Sequence, residues 1–185
     1  MVNRCGWVPL DNKLYVDYHD KDWGKAVHND RLLFEMLILE GAQAGLAWST
    51  ILKKRKTYKK AFDNFDFKKI AKYNQKKIEL LLQDPGIIRN KLKIASAIRN
   101  AKIFIEIIKE FGSFDKYIWG FVDGKPIVNK RKSWKQIPAT TSISDEISKD
   151  LKGRGMNFVG STIIYAFMQA VGMVNDHETS CFRYK

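Results

Sequence analysis

Side chains suited to holding a soft metal ion stand almost entirely at the two ends of this chain. Cys5 and His19 lie in its first twenty residues, His177 and Cys181 in its last ten, and the one other histidine is His28. If the four act together, the fold must bring its ends into contact. Thiolate and imidazole suit a four-coordinate Zn²⁺, and a complete two-Cys, two-His set leaves no open position, so such a metal would be structural. His177 and Cys181 are spaced i,i+4, which puts both on one face if that segment is helical. Two other readings stand beside this one: a disulfide between the cysteines, or two inert buried thiols near unrelated histidines. No secretory signal and no apolar run of about 18 residues is visible. A cytoplasmic location is therefore expected, and its reducing setting disfavours the disulfide. The two halves of the ligand set are far apart, unlike a compact CxxC-type motif.

Between these ends there is ample material for a core, since 45% of the 185 residues are hydrophobic and 12% aromatic. No internal repeat, low-complexity tract or Pro/Ser-rich linker divides the chain, so residues 1–185 are expected to form one domain. The formal net charge of +13 needs an explanation. Lysine greatly outnumbers arginine, and part of the excess has the flavour of codon bias. Yet the lysines cluster, at Lys53-Lys54-Arg55-Lys56, Lys59-Lys60, Lys68-Lys69, Lys76-Lys77 and Lys130-Arg131-Lys132. A surface of that kind points to nucleic acid as partner.

The hydrophobic spacing is helical nearly throughout. Asn29-Asp30 reads as an N-cap, followed by Leu33, Phe34, Leu37 and Ile38. A second helix carries Trp48, Ile51, Leu52, Tyr58 and Phe62 on one side and the first lysine cluster on the other. Asp66 and Asn74 look like caps of two short helices, and Asp84-Pro85-Gly86 is a turn signal. A long amphipathic pattern that includes Leu92 runs from Ile87 to Phe111 and stops at Gly112. From Phe114 to Pro138 the pattern is less regular, with Asp123-Gly124 able to close a short hairpin. Ser142 and Asp145 fit a capping box that starts a helix running to about Lys152. A glycine-bearing link, Gly153 to Gly160, leads into a last helix from Ser161 to Val171. The pattern is all-α.

Three features could carry chemistry. The link from Gly153 to Gly160 lets backbone approach a phosphate, with the free N–H groups of the next helix turned toward the negative charge. Glu40 sits among Leu37, Ile38, Leu39, Ala42 and Leu46, so its carboxylate either edges a pocket, is buried and in need of a partner, or turns to water at the helix end. Trp7, Tyr15, Tyr18, Trp23 and Trp48 flank these residues; most aromatics are core, but as a group they resemble a slot for a flat, cationic ring.

Taken together, Arg4-Cys5-Gly6-Trp7, Tyr15-x-x-Tyr18-His19-Asp20-x-x-Trp23-Gly24, Leu39-Glu40-Gly41-x-Gln43-Ala44-Gly45-Leu46-x-Trp48, Asp84-x-Gly86-Ile87-Ile88-Arg89, Phe158-Val159-Gly160 and Asn175-Asp176-His177 resemble the type I 3-methyladenine DNA glycosylases over nearly the whole chain. The resemblance implies an all-α helix-hairpin-helix glycosylase fold. It also implies one structural Zn²⁺ held by Cys5, His19, His177 and Cys181, joining the N- and C-terminal segments. Glu40, with Tyr18 beside it in the catalytic set, would hydrogen-bond the methylated base. Trp7 and Trp48 would stack on that base, and Tyr15 would help complete the pocket. The hairpin, about residues 153–161, would meet DNA through Gly155, Val159, Gly160 and Ser161. The implied activity is hydrolysis of the N-glycosidic bond of 3-methyladenine in alkylated double-stranded DNA by a monomeric enzyme. Relatives with lyase activity carry a lysine where this chain has Thr162, so the resemblance implies a monofunctional enzyme. The aspartate that superfamily relatives place beyond this helix has one counterpart here, Asp176, expected instead to support the adjacent His177.

Overall fold

Helix α2 (Asp30–Gln43) is the centre of the molecule, with every residue from Leu33 to Ala42 buried. A helix buried on all sides has to be wrapped by others, and the chain supplies them. The computed structural model describes residues 2–184. Around α2 lie α1 (Lys13–Lys21), α3 (Trp48–Ala61), α4 (Phe67–Ile70), α5 (Gln75–Gln83), α6 (Lys91–Phe111), α7 (Phe114–Gly120), α8 (Ser142–Gly153) and α9 (Ser161–Ala170). Helices α3, α6, α7 and α9 pack directly on α2. Phe34, Phe104 and Phe114 form the aromatic heart of the contact, with ring centroids 5.0 and 4.1 Å apart in turn.

Caps fall largely where the sequence places them. The side chains of Asn29, Asp66 and Asn74 accept from free N–H groups of the helices they precede, and Gly112 closes α6 with φ +87°. Other expectations need correction. The long amphipathic stretch becomes helical only at Lys91, behind an Asn90 cap, and Leu92 faces water. The capping box before α8 is formed by Thr141 and Ser144, one residue earlier than Ser142 and Asp145. Asp123-Gly124 makes a turn but no hairpin. The strand after it, β1 (Ile127–Val128), instead pairs in parallel with β2 (Val174–Asn175), in register Ile127 with Val174. A two-stranded ribbon of this size leaves the molecule mostly helical. Its effect is to bind the irregular 121–137 stretch to the chain's C-terminal segment.

That segment is locked to the N-terminal one by close backbone approach. Gly172 adopts φ +75°, and a Cβ there would fall 2.4 Å from the carbonyl carbon of Lys25. Only glycine fits. The neighbouring bonds Gly24 N–H to Gln169 O and Val27 N–H to Val171 O, both 3.0 Å, fasten the same contact.

Candidate active site and metal centre

The two ends meet at a buried cluster. Cys5, His19, His177 and Cys181 bring one ligand atom each to within 4.8 Å of the others, and all four side chains are buried. Cys5 Sγ lies 3.4 Å from His177 Nδ1. Cys181 Sγ lies 3.4 Å from His19 Nε2 and 3.7 Å from His177 Nδ1. A tetrahedron with Zn–S of about 2.3 Å and Zn–N of about 2.0–2.1 Å has edges of about 3.4–3.8 Å, so the donor set fits such an ion. Burial pushes the Cys5 thiol up to about 12 and His177 down to about 4. A buried dication would reverse the thiol's preference and hold thiolates here, while the neutral His177 imidazole already suits it.

The second layer is built as well. His19 Nδ1 faces Asp20 Oδ1 at 2.8 Å, and Arg4 grips that carboxylate with its Nε and Nη2 at 2.9 and 2.7 Å. The Arg4 guanidinium holds Asp20 down near 2. An orienting carboxylate behind a ligating imidazole is the usual arrangement in metal sites. His177 has a different support: its Nε2 lies 3.3 Å from the Trp23 carbonyl, and Gly24, with φ +72°, leaves the room its ring occupies. The partner expected for His177 was Asp176. Asp176 instead accepts from Asn129, Arg131, Tyr165 and Gln169, a structural hub with both oxygens occupied. The segment holding His177 and Cys181 is not helical. Glu178 forms a β-bridge with Arg131 and the chain then turns, so the two side chains converge through a loop.

Beside the cluster opens a cavity of about 480 Å³ lined by Trp7, Tyr15, Tyr18, Trp23, Glu40, Gln43, Trp48, Trp134, Lys135, Ile137, Ala166 and Gln169. The two sites share a wall. Trp7 packs edge-on to Trp23 at 4.9 Å and to His19 at 5.4 Å, and α1 carries both Tyr18 and His19. Opposite, the last turn of α2 presents Glu40, and Tyr18 lies 5.3 Å from Trp48 at the start of α3. Glu40 is 4% exposed. No hydrogen bond reaches its carboxyl from the described residues, and burial pushes its pKa up to about 8. Burial, and then the Glu40 carboxyl, push Tyr18 well above its ordinary value. The indole N–H groups of Trp7 and Trp48 are also buried without partners among the described residues. Buried polar groups are nearly always bonded. An acid and two donors left open around one cavity mark a place for a polar, flat ligand.

The glycine-bearing link lies between α8 and α9, which pack on each other. Its shape is fixed from inside. Asn100 Nδ2 donates to Asn157 O at 2.9 Å while its Oδ1 accepts from Asn157 N–H at 3.0 Å. Ser148 Oγ donates to Val159 O at 2.7 Å, and the Ser144 and Ser161 hydroxyls meet at 2.8 Å. Gly155 has φ +97°. Gly160 is the N-cap of α9 and offers no side-chain cap, and a Cβ added there would meet nothing within 4 Å. The N–H groups of the first turn of α9 are thus approachable from outside.

Comparison with known proteins gives this geometry a home. Residues 7–184 match the family model described as methyladenine glycosylase. The chain belongs to the methyladenine glycosylase family. The DNA-3-methyladenine glycosylase 1 of Escherichia coli is 46% identical over 183 residues, spanning 99% of this chain and 97% of that one. The DNA-3-methyladenine glycosylase of Haemophilus influenzae is 45% identical over 181 residues, or 98% and 97% of the two chains. A crystal structure of a tyrosine-to-phenylalanine variant of a 3-methyladenine DNA glycosylase I in complex with 3-methyladenine superimposes with a TM-score of 0.95. That chain is 30% identical to this one, with 100% of this chain and 98% of that one covered.

In this member of the methyladenine glycosylase family, all the sequence-derived pocket residues line one cavity: Trp7, Tyr15, Tyr18, Glu40 and Trp48. Sequence reading passed over Gln43, Trp134, Lys135, Ile137, Ala166 and Gln169 as parts of its wall. Trp134 and Lys135 left one trace, an aromatic set against the basic run Lys130-Arg131-Lys132. Among the described residues, no helix is long and apolar enough to cross a membrane.

Proposed function

We propose that this protein is a monofunctional DNA-3-methyladenine glycosylase acting on alkylated double-stranded DNA, the first step of base-excision repair. The observation that carries the reading is Glu40, a buried carboxyl with no bonded partner facing a cavity walled by Trp7, Tyr15, Tyr18 and Trp48. Methylation at N3 makes the adenine ring cationic. Aromatic faces attract such a ring, its exocyclic amine offers the donor that Glu40 lacks, and an ionised Glu40 answers its charge. Neutral adenine offers the amine without the charge. The methylated nucleotide has to leave the stack to reach this depth. The glycosidic bond then breaks with its electron pair passing to the ring, which departs neutral. Water adds to the sugar carbon and releases a proton. The protein's part is to hold the extruded ring between aromatics and to read its edge with Glu40, Tyr18 lying in contact with Trp48 beside it.

The link over residues 153–161 is proposed as a helix-hairpin-helix grip on backbone phosphate, through Gly155, Val159, Gly160 and Ser161. The bare N-terminus of α9 supports that role, because free N–H groups and the helix dipole both favour an anion. Thr162, in the first turn of α9, has no amine to form an imine with the sugar. We assign Cys5, His19, His177 and Cys181 to one structural Zn²⁺, which would supply positive charge and cross-linking and take no part in bond breaking. Residues 1–185 are read as one glycosylase domain, working as a monomer in the cytoplasm, where the two thiols stay reduced.

The deciding experiment measures free 3-methyladenine released from methylated duplex DNA by wild type and Glu40→Gln. Release by wild type and its near loss in a folded Glu40→Gln are expected; no release by wild type overturns the reading. A covalent adduct trapped by borohydride would overturn the monofunctional part.

A further inference from the structure

One wall of the cavity comes from the irregular stretch before α8, where a single 3₁₀ turn, Trp134–Gln136, carries Trp134 to the rim. Trp134 is 44% exposed, and one exposed tryptophan means little by itself. What sets Trp134 apart is how it is held. Glu178 is 8% exposed, and its Oε1 accepts from the backbone N–H of Trp134 at 2.8 Å and from that of Gly6 at 3.0 Å. Gly6 directly precedes Trp7. One nearly buried carboxylate therefore fastens the backbone at or next to two tryptophans of the same cavity. The Trp134 ring also packs close on the Gly6 backbone, since a Cβ at Gly6 would lie 3.1 Å from Trp134 Cδ1. Further bonds stiffen the turn: Lys132 N–H to Gln136 Oε1 at 2.8 Å, and Ile137 N–H to Trp134 O at 3.0 Å. Glu178 is itself fixed, by its N–H to Cys5 Sγ at 3.4 Å and its bridge to Arg131.

We propose that Trp134 is a further substrate-contacting residue, an outer aromatic wall against the extruded cationic nucleotide, and that Glu178 is the residue that positions it together with Trp7. This rests on the glycosylase reading above. A buried charge spent on two backbone N–H groups of a rim loop is a strong form of preorganisation, because charge-assisted bonds are about twice as strong as neutral ones. An indole so fixed meets a flat cation without ordering cost at the moment of binding. Stacking on an aromatic side chain is sequence-tolerant, so Trp134 tightens binding of any extruded nucleotide, and more so of one carrying charge.

The test is single-turnover base release from methylated duplex, with the enzyme concentration varied, for wild type, Trp134→Ala, Trp134→Phe, Glu178→Ala, Glu178→Gln and the double alanine variant. Zinc content and melting temperature are measured alongside. Trp134→Ala is expected to raise the half-saturating concentration by about tenfold to a hundredfold, with melting temperature and zinc unchanged and Trp134→Phe restoring most of the loss. Glu178→Gln keeps an acceptor oxygen and should stay near wild type, while Glu178→Ala, which frees both tryptophans, should be impaired at least as much as Trp134→Ala. The double variant should be no worse than the weaker single one, the mark of two residues acting as a unit. An active wild type with Trp134→Ala within about twofold of it overturns this inference alone. Additive effects, or a Glu178→Ala defect that follows zinc loss, overturn the positioning role. A wild type that releases no base overturns the glycosylase reading and this inference with it.

Discussion

Glu40 is a carboxyl that the protein surrounds without bonding, and its titration follows from that. Burial alone holds it protonated in the folded chain up to about pH 8, against an ordinary value of 4.5. The folded state thus keeps a proton that the unfolded state has lost, so Glu40's contribution to stability is full below about pH 4.5 and declines as the pH rises to about 8. Glu40→Gln abolishes this titration. Its melting temperature relative to wild type should therefore climb between pH 5 and pH 8, by the equivalent of up to a few kcal/mol. A difference that stays flat with pH would mean that Glu40 is ionised throughout. Activity should move the other way. A cationic ring is best met by the ionised carboxylate, so kcat/KM on methylated DNA should rise with pH through a midpoint near pH 8 and level off above it. Glu40→Gln should lose that limb and fall about 10- to 100-fold at the plateau, as for a buried hydrogen bond to a charged group.

At the scale of elements, the hairpin can be tested in two halves. Asn100 of α6 grips Asn157 from inside with two hydrogen bonds; Asn100→Ala should destabilise the fold by about 1–3 kcal/mol by leaving backbone groups unpaired. Gly160 has no such internal reason to be glycine, since its φ of −62° is ordinary and a Cβ would meet nothing. Gly160→Val should leave the melting temperature within about a degree while weakening binding about equally for all duplexes. A stability loss at Gly160 matching that at Asn100 would make both positions structural. Helix α2 shows the same division of labour. It has no basic residue in its last turn, and Lys93 from α6 donates instead to the carbonyls of Ala42 and Ala44 at 2.8 and 2.7 Å. Lys93→Met should cost about 1–3 kcal/mol and loosen the turn between Glu40 and Trp48. Helices α2 and α5, whose caps and apolar spacing are local, were legible in the sequence, as was α9 from its apolar spacing alone. Helix α1 was not: its short run is rich in polar and aromatic residues, and its aromatics read as a pocket without a backbone. The pairing of β1 with β2 was equally hidden, because a parallel partner 47 residues away leaves no local signal.

For the whole molecule, the meeting of the ends was legible from where the ligands stand, whereas their approach through a loop after β2 was not, since i,i+4 spacing suggests a helix. The cavity was legible by its aromatics and Glu40, but its rim from Trp134 to Ile137 depends on contacts far along the chain. With Zn²⁺ proposed at the cluster, Cys181→Ser should lose the metal and several kcal/mol of stability together; metal analysis beside thermal melting checks this, and an equally stable metal-free variant would contradict it. The net charge of +13 predicts DNA binding that weakens steeply as salt is added, read as the slope of log affinity against log salt. The clamp also sets a clock on synthesis. Cys5 and His177 are 172 residues apart, and a ribosome adding about 5–20 residues per second needs about ten to thirty seconds to deliver the second after the first. Through that interval the wall of Trp7, Tyr15 and Tyr18 can lean on α3 but has no partner at the C-terminal end of the chain. If zinc joins the two ends as proposed, a polypeptide stalled before Cys181 carries the aromatics of the pocket without the latch that would hold them.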